Sequence, residues 1–128
     1  MNPNVNRLVL HEMRKIFYPK GKPYIDWMGY QITEDNKPSY HHINKAEDLK
    51  HDNLDCNATV DNGAYLGKRS HEMLHALEES HYDLYNMWND LFKIINKSRE
   101  YPNDELLEMI YTLKQFTEDI LYKNTKKH

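Results

Sequence analysis

The stretch TVDNGAYLGKRSHEMLH, residues 59–75, decides the fold of this chain. Its turn dipeptide Asn62-Gly63 is followed by Ala64-Tyr65-Leu66, which could form a short strand. A glycine follows, and a helix begins near Lys68. The stretch therefore predicts a strand that leads directly into a helix.

The residues before this stretch predict a helix and a β-hairpin. Apolar residues recur at helical spacing over residues 4–17. Two β-rich runs, Tyr24–Thr33 and Ser39–Ile43, flank the turn-forming EDNKP and predict a hairpin that ends in two adjacent histidines. The polar region from Asn44 to Asp61 has no sustained period, so it predicts a loop.

The residues after the stretch predict two amphipathic helices. Apolar side chains recur at steps of three and four over residues 84–95 and again over residues 106–120, with NKSREYPND between them. These stripes are typical of a core. Helix, hairpin, loop and three helices make an α+β arrangement, and the length of 128 residues predicts a single domain, 1–128.

Composition excludes several classes of protein. The one cysteine, Cys56, excludes an internal disulfide and a zinc site built from paired cysteines, so a metal would be held by histidine. The formal net charge of −3 argues against a broad electrostatic grip on nucleic acid. Basic residues nevertheless cluster locally, at Arg14, Lys15, Lys20 and Lys22, at Lys68 and Arg69, and at Lys123, Lys126 and Lys127.

The chain also lacks the sequence features of a membrane or secreted protein. No apolar run approaches the roughly 18 residues of a membrane span. The N-terminal MNPNVNRLVLHEMRK lacks the basic, apolar and small-residue order of a signal peptide. We therefore expect a cytoplasmic protein with no membrane partner.

The helix that begins near Lys68 carries a pattern found in zinc metalloproteases. His71-Glu72-x-x-His75 puts two imidazoles on one helix face, and His81 occupies the position of a third protease ligand. The longer protease pattern needs a glycine where this chain has Glu78, because the helix must end there in a sharp turn. Glutamate favours a continuing helix, which would carry His81 away from the first two histidines.

A wider window gives a second interpretation. His41-His42, Asn62, His71 and His75 follow one another with gaps of 19, 8 and 3 residues. This order resembles the HNH endonuclease family, whose ββα-metal motif has two strands followed by a helix. The resemblance covers residues 24–78 and implies a ββα-metal core there. The predicted N-terminal helix precedes this core, and the C-terminal pair of amphipathic helices, over residues 81–123, follows it.

The resemblance implies a metal site. His41, His71 and His75 would bind one divalent ion through their ring nitrogens. Such a face suits Zn²⁺, Ni²⁺, Mn²⁺ or Co²⁺ better than Mg²⁺.

It also implies a catalytic role for residues around the ion. His42 would act as general base on the water that attacks a phosphodiester bond of DNA, and Asn62 would hold His42 in place. Lys68 and Arg69, near the start of the helix, would grip the backbone phosphate. Small HNH proteins of this kind are similar to nucleases of phages and mobile elements.

An alternative function assumes the same fold but no catalytic activity. The acidic balance and the large helical part suit a catalytically silent protein that binds a protein partner and retains the metal site for stability. Nicking of a plasmid, with and without a chelator, separates this alternative from the nuclease.

Overall fold

The computed structural model describes residues 3–44 and 59–126 of the chain. In chain order its elements are α1 (Pro3–Phe17), β1 (Pro38–His42), a 3-10 turn (Val60–Asn62), β2 (Gly63–Gly67), α2 (Lys68–Ser80), α3 (Tyr82–Ser98) and α4 (Asp104–Lys126). The predicted α+β class is confirmed. None of the described helices combines the length and the apolar character needed to cross a membrane. Most of the predicted loop, at residues 45–58 with Cys56, lies outside the described residues, as does Lys127 of the basic tail.

The sheet of the described residues has two strands, and its pairing differs from the predicted hairpin. β1 pairs antiparallel with β2, so that His41 lies opposite Ala64 and His42 opposite Gly63. The prediction that residues 24–33 pair with residues 39–43 is wrong, because among the described residues the first run forms only isolated bridges, Ile25 with Gln31 and Thr33 with Asn36. β2, the short strand before α2, pairs with β1 instead.

A buried carboxylate explains why residues 24–33 do not form a strand. Asp26 Oδ1 accepts hydrogen bonds from the backbone N–H groups of Met28 (3.0 Å) and Tyr30 (2.9 Å). Asp26 Oδ2 accepts a third from the N–H of Gly67, at 2.7 Å. Gly29 supplies the left-handed turn, with a φ of 89°. Backbone donors that a strand would offer to a neighbour are therefore satisfied by one side chain, which also ties this segment to the junction of β2 and α2.

The two faces of the β1–β2 ribbon contact different helices. Side chains alternate along a strand, so Tyr40 and His41 point to opposite faces. Tyr40 lies on the α1 side, where a Cβ on Gly63 would meet both its ring and Met13 Sδ. His41 lies on the other side, with its ring centroid 5.8 Å from that of Phe92 in α3. The ribbon therefore forms the central layer between α1 and the α2–α3 pair.

Gly67, the last residue of β2, is required by the close approach of a neighbouring side chain. A Cβ at this position would lie 2.3–2.5 Å from the amide atoms of Asn36. Asn36 is buried and fixed, because its Nδ2 donates to the carbonyl of Gln31 and its Oδ1 accepts from the N–H of Arg69. We expect Gly67→Ala to lower the free energy of unfolding by about 1–3 kcal/mol, measured by urea denaturation. The exposed neighbour provides the control, Lys68→Ala, for which about 0.5 kcal/mol or less is expected. Equal midpoints for the two variants would contradict this account.

Candidate metal and catalytic site

Strand β1 directs its two adjacent histidines to opposite sides of the ribbon. His41 is buried and faces α2 and α3. His42 is half-buried on the side of Tyr40, with the two ring centroids 4.8 Å apart in an edge-to-face arrangement. The alternation of a strand therefore gives neighbouring imidazoles two separate environments.

The buried imidazole of His41 is held by a side chain from α3. His41 Nε2 lies 2.8 Å from Asn89 Oδ1. An amide oxygen can only accept, so the His41 ring donates from Nε2 and keeps the lone pair of Nδ1. Within the described residues, Nδ1 has no hydrogen-bond partner.

Two further imidazoles adjoin His41 from the first half of α2. The ring centroids of His41 and His71 are 5.5 Å apart, and those of His71 and His75 are 4.8 Å apart with nearly parallel planes. His71 Nδ1 lies 2.7 Å from the hydroxyl of Ser39, which shares the β1 face of His41. His75 is exposed, and its Nδ1 is 3.7 Å from a carboxylate oxygen of Glu78.

The structure therefore brings His41, His71 and His75 into one row of neighbouring rings. Their side chains do not form a finished metal cage, because in the part of the chain that the structure describes no three His, Cys, Asp or Glu side chains are arranged to hold an ion. What the row offers is three adjacent imidazoles, of which His41 and His71 each have one ring nitrogen engaged by the protein. This is the arrangement of outer contacts that orients histidine ligands in metal sites.

Burial keeps the imidazoles of His41, His71 and His42 neutral. Burial lowers the pKa of His41 to about 3, an effect that the hydrogen bond to Asn89 only partly offsets, and the neighbouring imidazoles lower it further. Burial, with the proximity of His75 and His42, lowers the pKa of His71 to about 4. Burial also lowers the pKa of His42. At pH 7 each ring therefore has a nitrogen lone pair, which both a metal ligand and a general base require.

Asn62 fixes the end of β1 through the backbone. Its Oδ1 accepts from the N–H of Asn44 at 2.9 Å, and its Nδ2 donates to the carbonyl of Asn44 at 3.0 Å. The carbonyl of Asn62 also accepts from the N–H of Ile43. These bonds join the two residues that follow His42 to the residue that precedes β2. His42 Nε2 itself is buried, and it has no hydrogen-bond partner among the described residues.

The two basic residues predicted to grip phosphate lie on different sides of α2. At 100° per residue, Lys68 lies within about 60° of His71 and His75, whereas Arg69 lies about 120–160° from them around the helix axis. Arg69 lines a groove against α4 together with Glu72 and other side chains, rather than the row of histidines. Only Lys68 is on the histidine side.

Helix α2 continues past the position at which a protease helix of this pattern must end. Glu78 is inside the helix, which runs to Ser80. His81 lies in the link to α3, where its Nδ1 is 2.9 Å from the hydroxyl of Ser80. The predicted continuation through Glu78 is confirmed, and the geometry on which the protease alternative depends is absent at this residue.

Two residues outside the motif contribute to the site. Asn89 and Ser39 contact the imidazoles, yet neither follows from the spacing of the histidines. Asn89 had one signal in the sequence, because it lies in the otherwise apolar stripe of α3, where it is buried. Buried polar side chains are usually hydrogen-bonded, so this position required a polar partner in the core. Asn96, two turns later on α3, is also buried and donates to the carbonyls of Val60 and Gly63.

Comparison with known proteins adds no relative. The chain matches no protein-family model, no curated protein and no solved structure.

Proposed function

We propose that this protein is a metal-dependent endonuclease that hydrolyses phosphodiester bonds in DNA. The observation that carries the proposal is the row of His41, His71 and His75, with His42 on the neighbouring strand position. The order of strand, strand and helix along this part of the chain supports the proposal of a ββα-metal core.

The row of imidazoles fits a divalent ion in its chemistry. His41 offers Nδ1, since its Nε2 is bonded to Asn89. His71 offers Nε2 once its Nδ1 donates to Ser39, and His75 is accessible from solvent beside it. Neutral imidazole is a good ligand for Zn²⁺, Ni²⁺, Mn²⁺ or Co²⁺ and a poor one for Mg²⁺. A bound ion would stabilise the charge that develops on the phosphate and on the leaving oxygen.

The chain supplies the remaining parts of the reaction. His42 accepts the proton of the attacking water, which suits a neutral imidazole. The water oxygen bonds to phosphorus as the bond from phosphorus to the 3′ oxygen breaks. Asn62 keeps His42 in position by holding residues 43 and 44. Lys68 is the nearer candidate for binding the phosphate, because it shares the face of His71.

The test is a plasmid nicking assay with purified protein. We expect nicking with added Mn²⁺ or Ni²⁺ and none in excess chelator. Metal should bind to the wild type and to His81→Ala, whereas His41→Ala should lose it. Bound metal without nicking under any of these ions would instead support the catalytically silent, partner-binding alternative.

A second prediction concerns Asn89, the residue that orients His41. Asn89→Ala leaves the His41 Nε2–H buried without an acceptor, so the ring loses its fixed tautomer and orientation. We expect metal affinity to fall by about 10–100-fold, measured by competition with a metallochromic chelator. Asn86→Ala, on the exposed side of the same helix, is the matched control and should bind metal as the wild type does. Unchanged affinity in Asn89→Ala would separate Asn89 from the metal site.

A further inference from the structure

A groove between α1 and β1 is lined by basic side chains. Arg7, His11 and Arg14 line it from α1, and Lys37 lines it from the opposite wall, just before β1. No aspartate or glutamate is among its lining residues. Arg7, Arg14 and Lys37 make no ion pair within residues 3–44 and 59–126. In a chain with a net charge of −3, the groove is a local region of positive charge.

The basic residues of α1 are spaced for a polyanion. Arg7, His11 and Arg14 are separated by four and three residues, so they form one stripe along the helix. The stripe is about 10 Å long at about 1.5 Å per residue. One strand of DNA carries a phosphate about every 3.4 Å along its axis, so the stripe extends along about three phosphates.

Tyrosines hold the groove in shape. The guanidinium of Arg14 lies 4.3 Å from the ring centroid of Tyr24. The hydroxyl of Tyr24 is in turn 2.6 Å from that of Tyr65 in β2. A stacked guanidinium is already oriented before a phosphate binds, so less side-chain freedom is lost on binding.

Two residues that line the groove also contact histidines of the candidate site. Ser39 lines the groove, and its hydroxyl contacts His71 Nδ1 at 2.7 Å. Tyr40 also lines the groove, and its ring centroid is 4.8 Å from that of His42. A chain of phosphates lying in the groove would therefore reach β1 beside the proposed general base.

From this placement we infer that the groove binds the sugar–phosphate backbone of the DNA substrate and leads it to His42. The inference rests on the proposed function for the identity of the substrate. It adds Arg7 and Arg14, which lie outside the ββα-metal motif, and Lys37, just before β1, as residues that bind the substrate.

The test measures DNA binding without cleavage. A short fluorescein-labelled DNA duplex is titrated with the full chain in excess chelator, and anisotropy is followed between about 50 and 200 mM salt. We expect the double variant Arg7→Ala/Arg14→Ala to weaken binding roughly tenfold or more at low salt, and to reduce the slope of log K against log salt by about two. The charge-matched control is Lys93→Ala/Lys97→Ala on the exposed side of α3, which should bind as the wild type does. Circular dichroism verifies that all forms are folded.

Each result of this experiment has a distinct meaning. Equal loss of binding in both double variants, or none in either, would overturn the groove and leave the nuclease proposal to the nicking assay. If DNA binding depends on the groove but no metal supports nicking, the assignment of the groove as a DNA-binding surface would stand and the proposed nuclease activity would be contradicted. Tighter binding of an RNA duplex through the same arginines would overturn the assignment to DNA. The variant Arg7→Lys/Arg14→Lys retains the charge, and we expect it to keep most of the salt dependence.

Discussion

Replacing His42 with alanine is expected to lower the rate of plasmid nicking by about 10²–10⁴-fold, the usual contribution of a general base. The expectation follows from the proposed function. His42 lies on the opposite side of β1 from His41, so its loss should remove a proton acceptor without removing a metal ligand. Bound metal, measured by elemental analysis of the dialysed protein, should therefore be equal in the variant and the wild type.

A matched histidine variant separates catalysis from a general loss of imidazole. His81→Ala changes an exposed residue in the link between α2 and α3 and should nick at the rate of the wild type. His71→Ala should lose both metal and nicking, because its ring belongs to the row on the other face. Equal nicking rates for the wild type and His42→Ala would contradict the role of His42 as general base.

The largest expected effect on stability is that of Asp26→Ala. Three backbone N–H groups, those of Met28, Tyr30 and Gly67, donate to the Asp26 carboxylate. The carboxylate is buried, so its removal leaves donors that water cannot easily reach. At about 1–3 kcal/mol for each unsatisfied group, partly relieved by relaxation, we expect a loss of about 3–5 kcal/mol in the free energy of unfolding. That is a large fraction of the about 5–15 kcal/mol typical of a domain.

Denaturant unfolding with a neighbouring control measures this loss. Asp35→Ala changes an exposed carboxylate in the same segment and should cost less than about 0.5 kcal/mol. Asp26→Asn keeps one acceptor oxygen and should fall between Asp26→Ala and the wild type. Equal stability of Asp26→Ala and Asp35→Ala would show that the carboxylate does not hold the segment.

The same carboxylate gives stability a pH dependence of known sign. Burial raises the pKa of Asp26, an effect that its hydrogen bonds only partly oppose. The folded state therefore holds this proton more tightly than the unfolded state does. The tighter binding of the Asp26 proton stabilises the folded state fully below the unfolded-state pKa near 3.8. This stabilisation is lost as pH rises through the raised pKa of the folded state. The difference in unfolding free energy between wild type and Asp26→Ala should accordingly shrink as pH rises above about 4.

Features of the molecule that depend on neighbours in the chain were predictable from the sequence. The start of α2 at Lys68, the end of β1 at His42 and the continuation of α2 through Glu78 were all predicted. Each depends on local spacing and on the preferences of adjacent residues. The stacking of His71 on His75 is of the same kind, since it follows from a separation of four residues on a helix.

Features that depend on distant contacts were not predictable in this way. The run from Tyr24 to Thr33 has the composition of a strand, but the Asp26 carboxylate takes the N–H groups that pairing would need. The partner of β1 follows more than twenty residues later, at β2, and no local pattern encodes that pairing. Asn89 reaches His41 across 48 positions of the chain. The separation of Lys68 from Arg69 around α2, by contrast, could have been obtained from helical geometry alone.

The two buried asparagines of α3 have a consequence for how this site could arise or be transplanted. Asn89 contacts His41 in β1, and Asn96 contacts the carbonyls of Val60 and Gly63 at the start of β2, so one helix contacts both strands at the same end of the ribbon. A fragment that stopped at Ser80 would keep every residue of the histidine motif while losing the acceptor of His41 and the donor to Gly63. The histidine motif therefore cannot be moved to another protein as an isolated segment, because the α3 side chains that complete its contacts come later in the chain.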